Sequence, residues 1–124
     1  MSNIDDEAFK AGLEASLRNA GLLAASPDIA RYRLSANLQE LNRPLAGLDM
    51  SVTMSVRYTL TPIDGGAPVF DKVVRATGVG RMSDAFVGTE RLRIANEAAA
   101  RENITEFLRQ LQADVPAQSI APVS

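Results

Sequence analysis

Every second residue from Leu48 to Leu60 is apolar: Leu48, Met50, Val52, Met54, Val56, Tyr58 and Leu60. The residues between them, Asp49, Ser51, Thr53, Ser55, Arg57 and Thr59, are polar. Successive side chains of a strand point to opposite faces, so this segment reads as a long strand with one buried and one wet face. A helix would need apolar residues recurring at three and four instead. A sheet built on such a strand has an apolar side that a second layer must cover.

The flanking segments supply that layer. Asp5 to Ala20 reads as a helix with a narrow stripe at Phe9, Leu13 and Leu17, widened by the small residues Ala8, Gly12, Ser16 and Ala20. Gly21 followed by Leu22 reads as a helix-terminating glycine and its hydrophobic contact. A strand from about Ala30 to Leu41 turns Tyr32, Leu34, Ala36 and Leu38 inward and Arg31, Arg33, Ser35, Asn37 and Gln39 outward. Asn42 to Gly47 is a turn or bulged connection, with Pro44 and Gly47 as breakers. Pro62 to Pro68 is a hairpin loop around Asp64-Gly65-Gly66.

A third strand spans Val69 to Gly80 with Phe70, Val74 and Ala76 inward. Lys72 interrupts that face, which points to a bulge or a charge-protected edge. A second helix starts at Ser83 or Thr89 and ends near Gln112. Ile94, Ala95 and Ala98 lie on one side of it, and Ile104, Leu108 and Leu111 about a third of a turn away. Residues 113–124, rich in Ala, Pro and Ser, read as a disordered tail. The expected fold is a single α+β domain over residues 3–112, a two-layer sandwich in α-β-β-β-α order. Its three strands form an antiparallel meander with both helices on one face.

Composition narrows the chemistry. The 124 residues include no Cys and no His. Thiol nucleophiles, disulfides, Cys/His zinc sites and histidine acid–base catalysis are therefore excluded within this chain. No run of about 18 apolar residues is present to span a membrane as a helix. The net charge of −2 argues against a nucleic-acid partner held by bulk electrostatics. The expectation is a protein without cofactor or metal that is not an enzyme.

Four groups of residues have a functional reading beside an ordinary one. Gly78-Val79-Gly80-Arg81-Met82-Ser83 approaches a dinucleotide fingerprint, but Ser83 replaces the third glycine and no second parallel strand follows. A flexible strand end is the simpler reading. Arg31, Arg33, Arg57 and Arg75 decorate the polar sheet face and could bind anionic lipid, polyanionic sugar or a partner's carboxylates. Their ordinary role is a solvated face, paired with Glu40, Asp49 or Asp71. Glu90 and Glu97, one heptad apart, resemble a carboxylate pair for acid–base work, but a helix-surface ion network with the neighbouring arginines is the simpler reading. Met50 and Met54 could line a lipid groove, but core is their ordinary place.

Several stretches carry a resemblance. They are Phe9 to Leu17 with Gly21-Leu22, Tyr32-Arg33-Leu34, Gly47 to Met50, Val56 to Leu60, and Phe86 to Glu97. Over residues 7–112 the chain resembles small uncharacterised Gram-negative cell-envelope lipoproteins. In order of elements it also looks like the lipopolysaccharide-assembly and transport-auxiliary lipoproteins. The resemblance implies a mature ectodomain without its signal and lipidated cysteine, on the periplasmic side of the envelope. It implies action through a protein partner, or self-association by a sheet edge or the polar sheet face, in outer-membrane assembly or transport. The alternative is a small-ligand or lipid-binding module with a pocket between sheet and helices.

Overall fold

The computed structural model describes residues 6–42, 45–46, 49–81 and 88–114. Helix α1 spans Asp6–Asn19 and a single 3-10 turn spans Pro27–Ile29. Strands β1 (Tyr32–Asn42), β2 (Leu45–Ala46), β3 (Asp49–Pro62) and β4 (Phe70–Gly80) follow, and α2 covers Gly88–Asp114. All strand pairs are antiparallel. Strand β3 lies in the middle, with β4 on one side and β1 on the other. The two-residue β2 continues β1 along the same edge, since Asn42 faces Thr53 and Leu45 faces Met50 in one unbroken register. The sheet therefore has three long strands, and the expected α+β meander holds. Leu45 and Ala46 fall inside the expected turn or bulged connection and pair with β3.

The alternation of β3 is realised as burial. Val52, Met54, Val56, Tyr58 and Leu60 are all 2% exposed or less. Leu13 and Leu17 of α1 and Ala95, Ala99, Phe107 and Leu111 of α2 join them in one core. Both helices thus cover the same face. Each large apolar side chain buried here contributes about 1.5–3 kcal/mol. Helix α1 ends in a Schellman motif: Leu22 N donates to Leu17 O at 2.9 Å and Gly21 N to Arg18 O at 3.0 Å. Gly21 takes φ 74°, where a side chain would be strained.

Three expectations are corrected or narrowed. Leu38 faces buried Val56 but is 44% exposed. A bulge between Leu38 and Glu40 then reverses the parity, so that Leu41, opposite Met54, packs on the core instead. Of the two readings of β4, a bulge or a charge-protected edge, the second fits: β4 is an edge strand that pairs with β3 without interruption from Phe70 to Gly80. Lys72 sits on its inner face because it reaches Asp114 at the end of α2, and its ammonium lies 5.6 Å from the Phe70 ring centroid. Phe70 and Val74 are buried, as expected.

Helix α2 is the third case. It runs two residues past its expected end, into the segment read as a tail, and residues 115–124 lie outside the described residues. Its buried residues are Ala95, Asn96, Ala99, Asn103, Ile104, Phe107 and Leu111, a face that rotates along the helix, since a repeat of four drifts about 40° per step. The expected cap at Ser83 also lies outside the described residues.

The sheet-facing alanines let α2 come very close to β4. A Cβ on Gly78 would stand 2.5 Å from the Ala95 carbonyl oxygen and nearer still to the Ala99 amide nitrogen. One on Gly80 would stand 2.8 Å from the Arg91 carbonyl carbon and nearer still to its oxygen. These glycines are a packing device between strand and helix, not a phosphate cradle.

Candidate interaction face and interhelical groove

The outer face of the sheet follows from the same alternation. Arg57 of β3 stands between Asn37 of β1 and Val73 of β4, and Arg75 stands opposite Ser55. Arg33 lies opposite Thr61, and Arg31 just precedes β1, where its carbonyl accepts from Ile63 N at 2.9 Å. All four arginines are exposed, and no described element covers this face. Arg57 and Arg75 are diagonal neighbours, about 7–8 Å apart by strand spacing. Arg33 is four residues further along, about 13 Å at 3.3 Å per residue.

Charge on the face is partly compensated. Arg57 Nε donates to Asp71 Oδ1 at 2.8 Å and Nη2 to Oδ2 at 2.7 Å, a bidentate fork. This hydrogen bonding raises the Arg57 pKa and lowers that of Asp71. Among the described residues Arg31, Arg33 and Arg75 form no ion pair. Between the charges, Val73 is 55% exposed and Val79 37%. Thr53 and Thr77 share a cross-strand hydroxyl hydrogen bond at 2.9 Å. The result is a mixed surface of valine, threonine and arginine bounded by two strand edges.

The carboxylate pair of α2 is an ion network. Arg93 bridges Glu90 (Nε to Oε1, 3.0 Å) and Glu97 (Nη1 to Oε2, 2.7 Å) on the exposed helix surface. Hydrogen bonding from Arg93 lowers the Glu90 pKa, the direction opposite to that of a general acid. Met54 is core and Met50 packs against it. Among the described residues no group of three acidic, Cys or His side chains could hold a metal ion.

Two asparagines on α2 were not singled out by sequence. Asn103 is fully buried in the core, where Nδ2 donates to Met54 O and Val74 O, each at 2.9 Å. Its Oδ1 accepts from Tyr58 Oη at 2.7 Å. Every strong capacity of that amide is used across two strands and a tyrosine. Burial raises the Tyr58 pKa and keeps the phenol protonated. Phe107 stacks on the Tyr58 ring at 3.9 Å and meets Phe70 edge-on at 5.6 Å.

Asn96 is one heptad earlier and 1% exposed, yet neither its Nδ2 nor its Oδ1 has a partner. An unpaired buried polar group costs about 1–3 kcal/mol. Asn96 lines a groove of about 570 Å³ between α1 and α2, together with Phe9, Gly12, Ala100, Arg101 and Ile104. The alternative reading placed a pocket between sheet and helices; a cleft of about 540 Å³ lies between β4 and α2, lined by Arg75, Gly78, Ala98 and Glu102 among others, whereas the Asn96 groove lies between the two helices. For Asn103 the signal was available, since it lies on the four-residue stripe of Ala95, Ala99 and Phe107, whereas Asn96 stands one residue off it, beside Ala95.

Comparison with known proteins adds the fold. No protein-family model matches the chain, and no curated protein matches it in sequence. The crystal structure of a "putative lipoprotein" from Caulobacter crescentus CB15 is similar, with a TM-score of 0.63 and 18% identity over 85% of this chain and 78% of that one. At this identity the likeness is one of fold, and it matches the α+β arrangement described above.

Proposed function

We propose that this chain is the periplasm-facing ectodomain of a lipid-anchored cell-envelope protein. It works by protein contact, in outer-membrane assembly or transport, and performs no chemistry of its own. The observation that carries the reading is the outer sheet face. Three long strands present exposed Val73, Val79 and unpaired Arg33 and Arg75, and no described element lies over them. The two edge strands, β1 and β4, leave backbone groups available for pairing with another chain. The fold shared with the Caulobacter lipoprotein supports the envelope setting. The engagement of Glu90 and Glu97 by one arginine supports a non-catalytic role.

The test is metabolic labelling of the protein expressed from its full-length gene in a Gram-negative host. Labelled palmitate incorporation with recovery in the membrane fraction is expected. An unlabelled protein in the soluble fraction would contradict the envelope reading.

A further inference from the structure

The groove between α1 and α2 is on the helical layer, on the opposite side of the molecule from the outer sheet face. An inference drawn from it therefore stands apart from the contact reading. Its lining is divided by chemistry. Phe9, Gly12, Ala100 and Ile104 give it an apolar channel, and Asn96 adds a buried amide with both polar atoms unpaired. Arg101, on the same wall, is exposed and forms no ion pair among the described residues. Arg93, also on that wall, is already occupied by Glu90 and Glu97. Gly12 keeps the α1 side low: a Cβ there would meet only Ile104 Cδ1, at 3.9 Å. The volume of about 570 Å³ is in the range of small-molecule sites.

We propose that this groove binds a single-chain fatty carboxylic acid. The chain lies along Phe9, Gly12, Ala100 and Ile104. The carboxyl group accepts from Asn96 Nδ2 and, in its protonated form, donates to Oδ1, so one head group satisfies both unpaired atoms. Arg101 disfavours a cationic head at the groove mouth. The contrast with Asn103 points the same way. An amide that serves only the fold is bonded within it, whereas Asn96, buried at the groove wall, has neither polar atom bonded.

The experiment titrates the isotope-labelled 124-residue chain with dodecanoic acid and, separately, with dodecylamine, following backbone amides by NMR. Dodecanoic acid is expected to give saturable shifts at Gly12, Asn96 and Ala100, with dodecylamine at least about tenfold weaker. Asn96→Leu should weaken the acid by about tenfold or more while raising the urea midpoint, because it removes an unsatisfied amide. Gly12→Leu, at an exposed position, should block the groove with the fold intact by circular dichroism. Absence of saturable shifts up to about 1 mM acid would overturn the proposal. So would equal binding of acid and amine, or an affinity unchanged in both variants.

Discussion

Tyr58 and Asn103 meet in the centre of the core, where the phenol Oη donates to the amide Oδ1 at 2.7 Å and both residues are fully buried. The bond joins the middle strand to α2, and the same amide holds carbonyls of β3 and β4. Tyr58→Phe removes the donor and leaves Oδ1 unpaired, at a cost of about 1–3 kcal/mol. Asn103→Ala also opens a cavity and is expected to cost about 2–4 kcal/mol. Urea unfolding of the two single variants and the double variant should give a coupling of about 1 kcal/mol or more.

The buried phenol also predicts a one-sided pH response. Burial raises the Tyr58 pKa above its ordinary value of 10, so the folded state holds a proton that the unfolded state releases. That contribution to stability is complete below pH 10 and is lost as the pH rises further. Thermal melts should show a fall above about pH 10 that is absent in Tyr58→Phe.

Glycine substitutions should separate by position. Gly78→Ala and Gly80→Ala each push a methyl group into the backbone of α2, which cannot rotate away, and should cost about 3 kcal/mol. Gly12→Ala on α1 meets only Ile104 Cδ1 at 3.9 Å and should stabilise by about 0.5–1 kcal/mol through helix propensity. Urea midpoints of the three variants measure the contrast directly.

On the acid side, hydrogen bonds from Arg109 and Gln110 lower the Glu106 pKa to about 2. A depressed carboxylate stabilises the fold above its unfolded value of 4.5, and the contribution disappears as the pH falls toward 2. A carboxyl-carbon NMR titration should find Glu106 still ionised at pH 3. Glu106→Gln should remove part of the stability lost between pH 4.5 and 2.

The sheet and its helical cover were legible because their signals are local. The β3 alternation and the Gly21-Leu22 stop each lie in one stretch of chain and reappear unchanged. What was misread depends on partners far along the sequence. Lys72 looked like a break in β4 until Asp114, 42 residues later, was found beside it. Gly78 and Gly80 read as a flexible strand end rather than a nucleotide motif, but their packing role was not legible because the α2 backbone that requires them is remote. Asn96 and Asn103 drew no attention because the burial of a polar residue at the helix–sheet junction is decided by packing against remote strands. The sequence pattern put Arg31, Arg33, Arg57 and Arg75 on one face, but the Asp71 fork that neutralises Arg57 depends on strand register.

The contact function proposed for the outer sheet face is tested most directly by photo-crosslinking in living cells. A photoreactive residue would replace Val73, on that face, or Ala15, exposed on α1, in the protein made from its full-length gene. The prediction is a discrete adduct with an envelope protein or a second copy from position 73, lost on Arg75→Glu and absent from position 15. No adduct from position 73, or the same adducts from both positions, would contradict it.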